Sequence, residues 1–171
     1  MNSSDLRISI VSRLDADALT QLTDLLIAVV AEGASVGFLP PLARADAQRY
    51  WSGVPGPDTV LLVAEREGRI VGTAQLHLAA QANARHRAEV AKVLVDPEAR
   101  RQGIGRALMQ WIEEAARQAG RTLLILDTRA GDVSNGLYRS LGYVEVGEIP
   151  RYARSADGQL AATVIYYKEL E

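Results

Sequence analysis

Residues 89–107 constrain the fold of this chain more than any other stretch, because they join a strand, a glycine-containing turn and a helix. Residues 93–95 are aliphatic and largely β-branched, and the run stops at an Asp-Pro pair, which is typical of a strand. From Ile104 onward, apolar residues recur at steps of three and four. This spacing predicts a helix over residues 103–119 with one buried face.

The turn in this stretch is suited to binding an anion. Gly103 and Gly105 have no Cβ, so the backbone can approach a ligand closely and adopt positive φ. The free N–H groups and the positive dipole end of the helix favour negative charge at the same place. Three arginines flank the two glycines: Arg100, Arg101 and Arg106. A dinucleotide fingerprint is excluded because Leu108 stands where a small residue is needed, and no Gly-Lys-Ser/Thr completes a P-loop.

The pattern Arg100-x-x-Gly103-x-Gly105, with the strand before it, resembles the acetyl-CoA motif of the GNAT N-acetyltransferases. Residues 133–143, VSNGLYRSLGY, resemble the other signature of that family, a helix carrying tyrosine followed by Leu-Gly-aromatic. One position departs from the pattern, because Gly131 stands where the family often has asparagine. The resemblance implies acetyl-CoA as cosubstrate, with a neighbouring residue in place of that asparagine.

The resemblance also implies which residues contact acetyl-CoA. They lie on the strand, whose backbone would hydrogen-bond the pantetheine arm like an added strand, on the arginine-containing loop and on the short helix. A backbone N–H near Val93 would stabilise the oxyanion. The implied contacts are Val93, Leu94, Val95, Arg100, Arg101, Gln102, Gly103, Ile104, Gly105, Arg106, Ser134, Asn135 and Tyr138.

The rest of the chain alternates between strand and helix patterns. The predicted strands are residues 6–11, 60–65, 69–78, 88–95, 121–127, 143–149 and 162–168. The predicted helices are residues 14–30, 42–51, 103–119 and 133–141, with Asp15 capping the first and Gly120 closing the third. This order matches the GNAT fold, an α/β (α+β) architecture with a mixed, strongly twisted sheet of about six to seven strands flanked by helices. We expect a single domain over residues 1–171, with Trp51 and Trp111 in its core.

Composition narrows the possible partners. The net charge of −2 leaves no basic field for nucleic acid, and the absence of cysteine excludes disulfides and thiolate nucleophiles. His77 and His86 have no companion ligands, so no metal site is predicted. The longest apolar run, residues 25–31, is far shorter than the ~20 residues of a membrane span, and the N-terminus does not resemble a signal peptide. We expect a cytoplasmic protein without nucleic-acid or membrane partners.

Acetyl transfer to an amine needs a base for the amine and a proton donor for the leaving thiolate. Asp127 ends a predicted strand, where open α/β sheets bind ligands. Glu89 begins the cofactor strand, and strict alternation places it on the face of Ala91 and Val93. The resemblance implies Glu89 and Asp127 as the deprotonating pair and Tyr138 as the general acid. The alternatives are that Glu89 is a solvated charge at the strand edge, that Asp127 is an N-cap or loop acid, and that Tyr138 is a core residue of its helix.

Longer strings resemble a branch of the family that acetylates the amino group of a β-lactam toxin. They are residues 33–38, 87–93, 126–131 and 146–170. Because residues 33–38 and 151–159 read as loops of mixed polarity, Phe38, Tyr152 and Arg154 are candidate contacts to a small zwitterion. The resemblance predicts a small-molecule primary amine as acceptor and is compatible with a homodimer. Acetylation of a protein lysine or N-terminus, and a CoA-binding sensor without turnover, stay open.

Overall fold

The computed structural model describes residues 6–171, and within them the chain forms seven strands and four α-helices. The strands are β1 (Arg7–Val11), β2 (Thr59–Arg66), β3 (Arg69–Leu78), β4 (Arg87–Val95), β5 (Leu123–Arg129), β6 (Val144–Arg154) and β7 (Leu160–Glu169). The helices are α1 (Ala16–Ala31), α2 (Arg44–Ser52), α3 (Ile104–Gln118) and α4 (Ser134–Ser140). This confirms the predicted order of elements. None of these helices is long and apolar enough to cross a bilayer.

The seven strands form one mixed sheet in the order β1-β2-β3-β4-β5-β7-β6. All neighbouring pairs are antiparallel except β4 and β5, which are parallel. That parallel pairing covers three residues of each strand and ends at Glu89 and Ile125. Beyond this point β4 runs to Val95 and β5 to Arg129 without pairing with each other. The sheet therefore opens into a cleft between the two strands.

Different helices cover the two faces of the sheet. Helices α3 and α4 pack on one face, in a core that includes Leu108, Ile112 and Tyr138. Helices α1 and α2 pack on the other, in a core that includes Leu26 and Trp51. The mixed α/β fold with helices on both sides is therefore confirmed.

Strand β4 carries a bulge at Lys92, where φ is 51° and the register with β3 shifts by one residue. Val90 packs in the α3 core, and an unbroken strand would turn Val93 to the opposite face. Instead Val93 packs against the α3 core as well, while Leu94 joins the core under α1. The expectation that Glu89 shares a face with Val93 is therefore wrong, because the extra residue reverses the alternation.

Strand β6 is longer than the sequence predicts. It continues through Pro150 to Arg154, so residues 151–154 are strand, and the turn is confined to residues 155–158. A proline is tolerated here because β6 is the edge strand, and its register with β7 is interrupted between Ile149 and Ala153.

The two tryptophans differ in burial. Trp51 is fully buried, as predicted, but Trp111 is 46% exposed. The buried stripe of α3 runs through Leu108 and Ile112, and Trp111 lies at its margin toward solvent. The prediction of a core Trp111 is therefore wrong, because the apolar spacing alone did not show where the stripe ends.

Candidate active site

Two adjoining cavities open where β4 and β5 separate. The first, of about 330 Å³, is lined by Glu89 and Asp127, and we call it the carboxylate cavity. The second, of about 460 Å³, reaches the start of α3, and we call it the helix cavity. Val93, Ser134 and Tyr138 line both, so they lie where the two cavities meet.

The helix cavity ends at an uncapped helix N-terminus. Gly103 precedes α3 in the left-handed conformation, with φ 80°, and no side chain caps the first turn. A Cβ on Gly105 would lie 3.4 Å from Leu137 and 3.8 Å from Val95, so glycine keeps the gap between these side chains open. The first N–H groups of α3 therefore have no side-chain acceptor, which suits an anionic ligand.

Three arginines add positive charge around this end of the cavity: Arg100, Arg101 and Arg106. Arg100 is held by Glu32, with Nη1 2.6 Å from Oε2, and Arg106 donates to Ser140 Oγ at 2.7 Å. Two of the guanidinium groups are thus anchored by neighbours at the rim. The arrangement fits a ligand with several negative charges, such as a diphosphate.

The helix cavity brings together most residues predicted to contact the cosubstrate. Those that line it are Val93, Leu94, Val95, Arg100, Arg101, Gly103, Ile104, Gly105, Arg106, Ser134 and Tyr138. Gln102 is not among them, because its side chain accepts a hydrogen bond from Arg66. The cosubstrate contact predicted for Gln102 stays a prediction.

The side chain of Asn135 is bound within the protein. Its side chain is buried, and Nδ2 donates to the carbonyl oxygens of Arg129 at 2.9 Å and Asp132 at 2.8 Å. Its Oδ1 accepts from the Tyr166 hydroxyl at 2.7 Å. With both ends of the amide engaged in the protein, Asn135 stabilises the turn before α4. Ser134, the residue before it, lines the helix cavity. The cosubstrate contact predicted for Asn135 stays a prediction.

The carboxylate cavity brings four predicted residues together: Glu89, Asp127, Tyr138 and Tyr152. Glu89 stands at the last paired position of β4, opposite Ile125, two residues before Asp127 on β5. Thr163 on β7 donates to Asp127 Oδ2 at 2.6 Å, which holds that carboxylate in place. Two acidic side chains therefore face one cavity from the two sides of the cleft.

Tyr138 has a buried ring and reaches both cavities. The ring packs against Tyr143 and Tyr166, with centroids 6.0 Å away in each case. Burial raises the pKa of the Tyr138 hydroxyl, and the nearby charges of Asp132 and Asp127 raise it further. The phenol therefore keeps its proton throughout the neutral range. Its packing role and a proton-donating role are compatible.

Phe38 lies outside the carboxylate cavity. Its ring packs edge-on against Tyr50 at 5.3 Å and lines a neighbouring cavity, together with Arg154. Tyr152 does line the carboxylate cavity. Of Phe38, Tyr152 and Arg154, only Tyr152 therefore lines the cavity of the two carboxylates.

The carboxylate cavity is also lined by Lys92, Arg129 and Thr163, to which the sequence-based prediction gave no role. Burial lowers the pKa of the Lys92 ammonium, and the charges of Glu89 and Asp127 oppose that effect. Strand alternation does not predict that Lys92 lines this cavity, because the bulge determines the direction of its side chain. Thr163 sits among apolar strand residues, and only the pairing of β5 with β7 brings it to Asp127.

Comparisons with known proteins agree with this geometry. The Acetyltransferase (GNAT) family matches residues 29–143. An uncharacterized N-acetyltransferase from the hisH-hisA intergenic region of Azospirillum brasilense is 35% identical over 129 residues, 74% of this chain and 77% of that protein.

Solved structures share the whole fold. The ribosomal-protein-alanine N-acetyltransferase from Brucella melitensis aligns over 96% of this chain and 100% of its own, with a TM-score of 0.80 and 26% identity. An acetyltransferase from Salmonella typhimurium with its cofactor acetyl-CoA covers 97% of this chain and 94% of its own, with a TM-score of 0.80 and 18% identity. The second likeness concerns the fold alone.

Proposed function

Because the chain belongs to the GNAT acetyltransferase family and is an acetyl-CoA-dependent N-acetyltransferase, we propose that its acceptor is the primary amine of a small molecule. In this proposal acetyl-CoA occupies the helix cavity and the amine occupies the carboxylate cavity. The observation that carries the proposal is their junction, where Tyr138 faces both.

The described residues fit the cosubstrate. Backbone N–H groups after Gly103 and the charges of Arg101 and Arg106 would hold the diphosphate. The β4 backbone from Val93 to Val95 has no strand partner on the β5 side and would hydrogen-bond the extended pantetheine arm. When bound, acetyl-CoA supplies the acetyl group as a thioester.

The two carboxylates prepare the amine. An alkyl ammonium with a pKa of about 10 is no nucleophile at neutral pH, so a proton must leave it. Asp127, held by Thr163, is the proposed base, and Glu89 is its partner across the cleft. Tyr138 keeps a proton at the junction of the cavities, where the sulfur leaves.

Tyr138→Phe is expected to lower kcat by about 100-fold, the lower end of what a positioned proton donor contributes. Affinity for acetyl-CoA should change little, because the ring and its packing remain. Steady-state kinetics and calorimetry check the two expectations. Wild-type kcat in this variant would exclude the proton-donor role.

The acceptor is proposed to be small because the carboxylate cavity, at about 330 Å³, is at the small end of ligand pockets. The strings at residues 33–38, 87–93, 126–131 and 146–170 resemble the tabtoxin resistance protein of pathogenic pseudomonads. That likeness favours an amino-acid-like or β-lactam toxin or antibiotic as acceptor. A role in antibiotic resistance, a cytoplasmic location and a homodimer are parts of the same proposal.

A second candidate acceptor is the N-terminal alanine of a protein. It is favoured by the Brucella melitensis ribosomal-protein-alanine N-acetyltransferase, which shares the whole fold at 26% identity. Release of free thiol from acetyl-CoA, measured against amino acids, β-lactam toxins and alanine-starting peptides, separates the two. Turnover of the small amines alone supports the proposal, and turnover of peptides alone contradicts it.

A further inference from the structure

Lys92 places a cation beside the two carboxylates of the carboxylate cavity. It lines that cavity with Glu89 and Asp127, and its positive φ of 51° belongs to the bulge of β4. The ammonium lies over the ring of Tyr50, 5.6 Å from the centroid, on the α2 side of the sheet. The bulge thus turns a charged side chain into the cavity at a position where a regular strand would direct it elsewhere.

The chain uses lysine sparingly. Of its 19 basic residues, only Lys92 and Lys168 are lysines. Lys168 is neutralised in the fold, because its Nζ lies 2.8 Å from both carboxylate oxygens of Glu113 and donates to the Leu141 carbonyl. Its charge therefore has an evident structural use.

Lys92 has no such partner. Within residues 6–171, no carboxylate oxygen lies within 4.0 Å of its Nζ, and no hydrogen bond holds it. Its half-buried ammonium contacts the face of Tyr50, which stabilises the cation only partly. Glu89 and Asp127 are near enough to oppose the effect of burial on this ammonium, but neither contacts it directly, so its three N–H donors stay free for a ligand.

Arg129, the other basic residue that lines the carboxylate cavity, is already engaged. Its guanidinium donates to the Gly33 carbonyl at 3.1 Å and lies 3.7 Å from Asp132. Among the basic cavity-lining residues that the structure describes, Lys92 is thus the one with neither an ion pair nor a hydrogen bond to the protein.

We propose that Lys92 binds a carboxylate of the acceptor, so that the preferred acceptor carries both a primary amine and an acidic group. The inference rests on the proposed function, in which the amine approaches Asp127 and Glu89. Lys92 follows Glu89 by three residues on β4, so one small molecule can meet both charges. An amine without an acidic group leaves the ammonium unpaired and is disfavoured for that reason.

The test compares matched acceptors that differ only in the acidic group: γ-aminobutyrate with n-propylamine, and β-alanine with ethylamine. For the wild-type enzyme, kcat/KM should be about 10- to 100-fold higher with the amino acid than with the plain amine. This is the factor expected from one hydrogen bond to a charged group. Lys92→Met should remove this preference by raising KM for the amino acids and not for the plain amines. Lys92→Arg should retain part of it.

Arg49→Met is the matched control, because it removes an equal charge from the same side of the sheet with a side chain that is 77% exposed. It should leave the preference unchanged. Equal losses for both members of each pair in Lys92→Met would instead make Lys92 a counter-ion of Glu89 and Asp127 and overturn the inference. Absence of a preference in the wild type would overturn it as well.

Calorimetry of the same compounds with the CoA-loaded protein gives a readout that does not depend on turnover. Tighter binding of γ-aminobutyrate than of n-propylamine, lost in Lys92→Met, supports the inference even if no amine is acetylated. In that case the proposed function fails and the anion site stands. If both compounds bind equally and turnover is normal, the inference is wrong but the proposed function stands.

Discussion

Gly105→Val is expected to abolish detectable acetyl-CoA binding, with a loss of at least about 100-fold in affinity. Gly105 is in the first turn of α3. A Cβ at this position would already lie 3.4 Å from Leu137 and 3.8 Å from Val95, so the larger valine side chain would fill the gap between them. Backbone atoms could then no longer approach the diphosphate. Calorimetric titration with CoA measures the effect, and circular dichroism verifies the fold.

Gly136→Val is the matched control, because Gly136 is also helical and a Cβ there would meet no heavy atom within 4 Å. It lines neither cavity, so CoA affinity should be unchanged. Gly103 is a less suitable site, since its φ of 80° would strain any other residue. Normal CoA affinity in Gly105→Val would defeat the assignment of the helix cavity to the coenzyme.

Asp127→Asn is expected to lower kcat/KM by about 100- to 10,000-fold at pH 7, the range that a positioned base contributes. The loss should shrink near pH 10, because about half of an alkyl amine is then already unprotonated. The measurement is the pH profile of thiol release for wild type and variant with one amine.

Thr163→Val provides the comparison for this variant, because it removes the 2.6 Å hydrogen bond to Asp127 but keeps the carboxylate. We expect a smaller loss with a pH dependence like that of the wild type. A loss in Asp127→Asn that is equal at all pH values would indicate a structural role for Asp127.

The order of elements is predictable from the sequence because each strand and helix carries its own periodicity. The cofactor loop is predictable for the same reason: Gly103, Gly105 and the flanking arginines are adjacent in the chain, and their chemistry needs no long-range contact. Glu89 and Asp127 reach one cavity through the parallel pairing of β4 with β5, and Tyr138 reaches it from α4. The resemblance implied all three residues.

The errors arise where long-range contacts override local patterns. The bulge at Lys92 depends on how β4 pairs with β3, and no neighbouring residue signals it. The hydrogen bond from Tyr166 to the amide oxygen of Asn135, 31 residues away, is likewise invisible in the local pattern. Strand β6 continues past Pro150 because its partner β7 and its edge position allow it.

The short pairing of β4 with β5 has a mechanical consequence. Within residues 6–171, strand pairing joins the β1–β4 half of the sheet to the half made of β5, β7 and β6 at three positions of each strand. A coenzyme arm hydrogen-bonded to β4 would extend this short junction toward Val95. We therefore expect deuterium uptake by the amides of residues 90–95 to slow when CoA binds, whereas the amides of β1 should exchange as before.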